Sequence, residues 1–433
     1  MAGMATTDRA RAFGGFDGLD DLLPDLAELY TDLHRNPELS FAEHRTAGAL
    51  AARLRERSFQ VHTGIGGTGV AGVLRNGPGP VVVLRADIDA LPVEERTGLP
   101  HASRVRARTA DGDEVPVMHA CGHDMHATWL DGAATVLAAA RDAWRGTLAV
   151  VYQPGEENGE GAAAMVRDGL FDRTGTPDVV LGQHVVPGPA GWVLTRPGVL
   201  MAATDALRIV LHGRGGHGSR PETTVDPAVL AASVVMRLQT IVSREIAATE
   251  QAVVTVGSVH VGTAHNVIAD RAVLEVNIRT FDEQVRRRVL AAVERIVRGE
   301  AEAAGAPRPP EITPIATFPV TTNDADTNRT LTRAFENHFG PARVMEAPLV
   351  TGSEDFGELA RAADARSVFW LVGGLDEDTV LRAMADGRFE RDVPSNHSPY
   401  FAPVLHPTLR TGVETLVVAA LTFLSVGAGT VDA

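Results

Sequence analysis

Gly146-Thr147-Leu148-Ala149-Val150-Val151-Tyr152-Gln153-Pro154-Gly155-Glu156-Glu157 is an apolar run closed by a Pro-Gly turn and two adjacent carboxylates. The run reads as a buried strand. Paired carboxylates just past such a strand stand where α/β enzymes place their chemistry. Successive residues point in different directions, so one carboxylate can bind a metal while the other faces a substrate. The plainer alternative is a solvated acidic loop in which Glu156, Glu157 and Glu160 are surface groups.

Outward from this strand, helical and extended patterns alternate. Leu26–Asn36 and Ala42–Arg57 read as helices, and Val70–Leu74 and Val81–Arg85 as strands joined by the turn Asn76-Gly-Pro-Gly-Pro80. An Ala-rich helix is expected over Thr128–Ala143, and Val179–Leu181 reads as another strand. This alternation predicts a three-layer α/β domain. Near Ala203 the pattern changes to strand Asp205–Leu211, helix Asp226–Ser243, strands Ala252–Val259 and Ala272–Arg279, helix Glu283–Glu302 and strand Glu311–Phe318. That order, βαββαβ, predicts an inserted ferredoxin-like α+β domain over residues 203–318. The α/β pattern then resumes with helix Thr327–Phe339 and strand Ser367–Val372, so the first domain is expected to be discontinuous, over 15–202 and 319–433.

The segment before the Ala-rich helix, Met118-His119-Ala120-Cys121-Gly122-His123-Asp124-Met125-His126, holds the chain's only cysteine among three histidines. Thiolate and neutral imidazole are ligands of divalent transition metals, and so dense a cluster favours metal over a structural role. His184, at the end of the Val179–Leu181 run, and His397, in the loop Asn396-His-Ser-Pro399, are each ordinary when taken alone. Together with Cys121, His123 and Glu157 they complete the inventory of a dinuclear site, with Glu156 left as a base.

Composition narrows the function classes. Among 433 residues the net charge is −15, which disfavours nucleic acid and anionic membranes as partners. All 40 basic residues are arginine, which excludes a lysine nucleophile or Schiff base. One cysteine makes no intramolecular disulfide, and Met1–Asp20 lacks the apolar core of a signal peptide. No apolar run reaches the ~20 residues of a membrane span, and Leu416–Val426 reads as a packed helix. A soluble cytoplasmic enzyme of two domains is expected.

Nine segments, in order along the chain, resemble the dinuclear-metal aminoacylase and carboxypeptidase superfamily. They are Leu33–Ser40, Leu84–Pro92, His119–Asp124, Gln153–Glu157, Gly213–Pro221, His265–Asp270, Asn277–Asp282, Gly352–Phe356 and Asn396–Pro399. The chain is most similar to the amidohydrolase branch, with its hippurate and auxin–amino-acid conjugate hydrolases. The resemblance implies a three-layer zinc-peptidase-like catalytic domain and two divalent metal ions, Zn or Mn, with Co or Ni also compatible. It implies Cys121, His123, Glu157, His184 and His397 as metal ligands, with Cys121 bridging, and Glu156 as general base. It makes Asp87 an acid standing behind the ligands. His217 matches a histidine that polarises the scissile carbonyl in the partner subunit's site, and Asn266 and Arg279 match residues that hold the substrate. The implied partners are a small-molecule N-acyl amino acid and a second copy of the chain, docked through the inserted domain. A dipeptidase or carboxypeptidase using the same site is the alternative, and a non-catalytic binding homologue is a remoter one. Arg85 stands where the broader superfamily has a histidine ligand, and its replacement by Cys121-x-His123 is what points to the amidohydrolase branch. Two features depart from the family and bear on substrate choice: near Glu222 it usually has another residue, often His, Tyr or Leu, and Val105–Val115 is longer and more polar than in many relatives.

Overall fold

In the computed structural model, residue 16 and residues 18–109 and 112–426 are described. Helices α1 (Leu19–Arg35) and α2 (His44–Glu56) open the chain, each burying one apolar stripe: Leu26, Leu29, Tyr30 and Leu33 in α1, Ala47, Leu50, Ala51 and Leu54 in α2. Strands β1 (Gln60–Ile65), β2 (Gly69–Asn76) and β3 (Val81–Asp87) follow. Helix α3 (His123–Ala139) leads to β4 (Trp144–Gln153), and then come β5 (Val179–Pro189) and β6 (Val193–Thr195). The next stretch is β7 (Ala203–His212), α4 (Pro227–Thr240), β8 (Ala252–Val261), β9 (Arg271–Thr280), α5 (Glu283–Ala303) and β10 (Glu311–Phe318). The chain returns with α6 (Ala325–Phe339), β11 (Val344–Glu346), β12 (Arg366–Leu375) and α7 (Thr408–Phe423).

Two units result. The first holds a large sheet in the order β1-β2-β4-β3-β5-β12-β6-β11. Its central strands β4, β3, β5 and β12 are parallel, flanked by antiparallel β2 and β6. Both faces of β5 are covered. A Cβ on Gly182 would come within 2.8 Å of the Phe356 ring, while the next residue, Gln183, donates to Gly412 O of α7 at 2.8 Å. This is the three-layer arrangement that the unbroken apolar strands require. From β3 the chain passes to β4 on one side and later to β5 on the other, which opens a crevice beyond the carboxyl ends of these strands.

The second unit comprises Met201–Thr321 and Leu349–Glu354. Its four strands are antiparallel in the order β8-β9-β7-β10, the ferredoxin-like order for βαββαβ. Leu230, Val234 and Leu238 of α4 and Val285, Val289, Val293 and Ile296 of α5 pack on Ile209, Leu211, Leu274 and Val276 of the sheet. Asp226 and Asp282 cap the two helices, accepting from Ala228 N and from Gln284 N and Val285 N.

Three details differ from expectation. The first helix starts at Leu19 rather than Leu26, with Pro24 accommodated inside it. Helix α3 starts at His123 rather than Thr128, because Gly122 adopts a left-handed conformation (φ 87°) and sets the chain into the helix within the histidine cluster itself. The second unit also takes in Leu349–Glu354, a distant segment tied by Arg279 to Thr351 O (3.1 Å) and Ser353 Oγ (3.0 Å), and by Ala202 N to Val350 O (3.0 Å). Periodicity has no means of announcing such a tie. The polar stretch after Val105 forms a small hairpin of Arg106–Arg108 with Glu114–Pro116. Among the described residues no helix is long and apolar enough to cross a membrane; the apolar α7 is buried instead.

Candidate metal centre

The five expected ligands all lie in the first unit and converge. Cys121 and His123 flank Gly122, where a Cβ would approach Val185 Cγ1 of β5 to 2.4 Å, so the loop can lie this close to the strand only with glycine there. His184 projects from β5. Glu156 and Glu157 follow the carboxyl end of β4. His397 is brought in by Asn396, whose Nδ2 donates to Cys121 O and Val185 O, both at 3.1 Å, and by its own backbone N, which donates to Ala120 O at 2.8 Å. His397 itself has φ 69°, a strained conformation for a residue with a side chain.

Two donor sets emerge. Cys121, His123 and His184 form one, and Cys121, Glu157 and His397 the other; within each, the ligand atoms lie within 4.8 Å of one another. Cys121 is the shared member, with Sγ 3.4 Å from His184 Nε2 and 3.2 Å from His397 Nε2. His397 Nε2 is also 3.4 Å from Glu157 Oε1. Glu156 joins His123 and Glu157 in a third group, with Oε2 3.9 Å from His123 Nε2.

Hydrogen bonds select which ring nitrogen faces the centre. His184 Nδ1 donates to Val185 O at 2.7 Å, leaving the Nε2 lone pair toward Cys121. His123 Nδ1 donates to Asp89 Oδ1 at 3.1 Å, and its buried Nε2 has no hydrogen-bond partner among the described residues. His126 is turned the other way. Val185 N donates to its Nε2 at 2.8 Å, so Nδ1 carries the proton and donates to Asp87 Oδ1 at 2.5 Å. Both nitrogens of this third histidine are therefore engaged, and it orients β5 instead of offering a lone pair.

Asp87 is hydrogen-bonded to His126, which is not one of the five expected ligands, while its Oδ2 lies 3.8 Å from His123 Nε2. The carboxylate that orients His123 is Asp89, which also accepts from Glu157 N (3.1 Å) and Ser40 Oγ (2.6 Å). The sequence placed Asp89 inside the Leu84–Pro92 segment and His126 inside the histidine cluster, but gave neither a role of its own. The signal for their roles is position: Asp89 alternates with Asp87 at the end of an apolar strand, and His126 lies one turn after His123. Arg85, fully buried, donates to Asp87 Oδ2 and Gln153 Oε1, both at 2.8 Å, and to Asp355 Oδ1 at 3.1 Å.

The electrostatics fit a cation. Asp87, Asp89 and Glu156 are buried around His123, with Glu157 beside them. Burial pushes the Glu157 carboxyl up, and Asp89 and Asp87 add to that against the opposing pull of His123. Burial works against a charge on His123, yet Asp87, Asp89 and Glu157 drive its pKa up. Burial, with His126 adding to it, holds His184 well below the ordinary imidazole range, as a neutral ligand must be. Crowded carboxylates, an orphaned ring nitrogen and a thiol form a donor set suited to a divalent transition metal.

The remaining expected residues lie in the second unit. His217 is exposed and pairs with Val267 across a two-residue ladder, which brings it next to Asn266, whose carbonyl accepts from Gly218 N at 2.8 Å. Ser219 N donates to His217 Nδ1 at 3.1 Å, so the neutral ring presents Nε2–H as a donor. Arg279 is half-buried on β9, with Nε donating to Asn277 Oδ1 at 2.9 Å.

A three-layer α/β unit that gathers a thiol, three imidazoles and paired carboxylates at its parallel strand ends has the architecture of a metal-dependent hydrolase. The chain belongs to Peptidase family M20/M25/M40, whose sequence model matches residues 83–390. It is 37% identical over 341 residues to the hippurate hydrolase of Campylobacter jejuni, covering 78% of this chain and 85% of that protein. It is 34% identical over 357 residues to thermostable carboxypeptidase 2 of Saccharolobus solfataricus, covering 81% and 86%. The crystal structure of the Bacillus subtilis YXEP protein, described as a dinuclear metal binding peptidase from the M20 family, matches with a TM-score of 0.73 at 28% identity, covering 94% of this chain and 99% of that one. The chain is thus a metal-dependent amidohydrolase of this family.

Proposed function

We propose that the chain hydrolyses the amide bond of N-acyl amino acids to a carboxylic acid and a free amino acid. The observation that carries this reading is the pair of donor sets sharing Cys121, with the Glu156 carboxylate beside them. Cys121, His123 and His184 would hold one ion, and Cys121, Glu157 and His397 the other. The thiolate and imidazoles favour Zn, Co or Ni over Mg, and the family resemblance keeps Mn beside Zn. When bound, such ions supply water acidified toward a pKa of ~7 and a Lewis acid for the amide carbonyl. Glu156 takes the proton from water and passes it to the leaving nitrogen.

The second unit supplies the rest of the machinery. His217 offers its Nε2–H to the developing oxyanion, in the site of a second copy of the chain. Asn266 and Arg279 hold the carbonyl and carboxylate of the substrate. A homodimer through this unit is supported by its uncovered surface. Strand β8 is a sheet edge with Val253 and Val259 exposed, and Val229 and Met236 are exposed on α4. The use of the one cysteine as a ligand suits the reducing cytoplasm.

The hippurate hydrolase relative favours an N-acyl amino acid, and the carboxypeptidase relative keeps a peptide as the second reading. The test is amino-acid release from a panel of N-acyl amino acids and dipeptides, after chelator stripping and reconstitution with Zn²⁺, Mn²⁺, Co²⁺ or Ni²⁺. Metal-dependent release from one acyl class is expected. Preference for dipeptides would move the enzyme to the peptidase reading, and silence across the panel with two ions bound would point to a binding role.

A further inference from the structure

We propose that His34, at the end of α1, is a positioning residue for the metal centre, acting through Asp124 to fix the rotation of helix α3; this rests on the metal-site reading above. Its ring is fully buried and lies between two carboxylates, with Nδ1 2.6 Å from Asp124 Oδ2 and Nε2 3.0 Å from Glu95 Oε1. Carboxylates accept, so both ring nitrogens donate. The ring is itself confined by Tyr30 (centroids 5.6 Å apart) and by His101, which meets it edge-on at 5.1 Å. As the penultimate residue of α1 it also sits at the negative end of that helix.

The reason such a bridge matters lies in the geometry of α3. The helix starts from a left-handed glycine without a side-chain cap, and the local bond of its first turn, Met125 N to Asp124 Oδ1 at 2.9 Å, lies within the helix and does not fix its rotation against the sheet. Its first turn must nevertheless aim His123 Nε2 into the donor set. Residues on a helix advance by about 100° each. Relative to His123, His126 points about 60° to one side and Asp124 about 100° to the other. His123 is tied to Asp89 and His126 to Asp87, two ties on neighbouring sides of the helix. Further along, Trp129 Nε1 donates to Thr408 O (3.0 Å) and Asp131 accepts from Arg53 Nε (2.9 Å) and Arg57 (3.1 Å), which hold the middle of the helix but not its first turn. The His34–Asp124 bridge ties the opposite flank at the first turn itself, where His123 has to be aimed. Among the described residues, His119, on the loop just before, finds no hydrogen-bond partner for either ring nitrogen.

The test is a double-mutant cycle read on metal binding, independent of any substrate. His34→Gln, Asp124→Asn and the double variant are compared with wild type for Zn²⁺ affinity by chelator competition, and for the thiolate-to-cobalt absorption of the Co²⁺-loaded chain. Both single variants are expected to lose about tenfold or more in Zn²⁺ affinity and to shift the cobalt band. The double variant is expected to be no weaker than the worse single, because both changes cut one tie. Folded single variants with affinity within twofold of wild type, even with a lowered Tm, would overturn the proposal and leave His34 a stability residue. Losses that multiply in the double variant would overturn it too. Should His34→Gln fail to fold, the near-isosteric Asp124→Asn carries the test. Wild type that binds no metal would bring down the metal-site reading itself, an outcome distinct from unaffected variants beside a metal-binding wild type.

Discussion

Asp89→Asn is the substitution from which the arrangement of the centre predicts most. Asp89 is fully buried and receives donors on both oxygens: His123 Nδ1 on Oδ1, and Glu157 N with Ser40 Oγ on Oδ2. An asparagine keeps one oxygen. The two donors at the Oδ2 position favour the oxygen there, which turns the amide NH2 toward His123 Nδ1. That nitrogen must then accept, the ring proton moves to Nε2, and the lone pair is lost from the side facing the donor set. The alternative orientation leaves Glu157 N and Ser40 Oγ facing an NH2 group. A hydrogen bond to a charged group is worth about 1.5–3 kcal/mol. At about 1.4 kcal/mol per decade, losing the His123 bond weakens metal binding by about 10–100-fold. Chelator competition with Zn²⁺ measures this directly, and the Tm of the metal-free protein checks that the fold persists. Affinity within twofold of wild type in a folded variant would refute the assignment of Asp89 as the group that sets the His123 tautomer.

Three further outcomes are expected. Glu156→Gln keeps two ions per chain but loses about 10²–10⁴-fold in turnover, the usual contribution of a positioned base; near-normal turnover would remove it from that role. His217→Ala is inactive as a homodimer, yet mixing it with Glu156→Gln subunits restores part of the activity, whereas confirmed subunit exchange without rescue would argue against a site shared between chains. The third concerns pH. Burial opposes a charge on His34, but its bonds to Asp124 and Glu95 push its pKa up to about 10, from an ordinary value near 6.5. A raised folded pKa contributes stability that is complete below pH ~6.5 and is lost as pH climbs through about 10. Tm measured across that window is expected to fall more steeply for wild type than for His34→Gln, and parallel curves would contradict the assignment.

What the sequence determined by itself was the inventory and its chemistry. Apolar runs such as Thr147–Val151 and Val82–Leu84 leave no polar face, so their strands had to be covered on both sides, and the order of strands and helices after Ala203 allowed the βαββαβ unit to be read directly. The one cysteine beside His123, with the paired carboxylates past β4, marked the donors, because ligand chemistry belongs to residue type. The tertiary structure decided how those donors are aimed. That His126 is spent on Val185 N and Asp87, that Asp89 and not Asp87 steers His123, and that Leu349–Glu354 joins the second unit through Arg279 all depend on which atoms face one another across distant segments. Periodicity assigns a residue to a face of its own element. It carries no information on the rotation of one element against another, and that rotation determines which nitrogen of a histidine meets the metal.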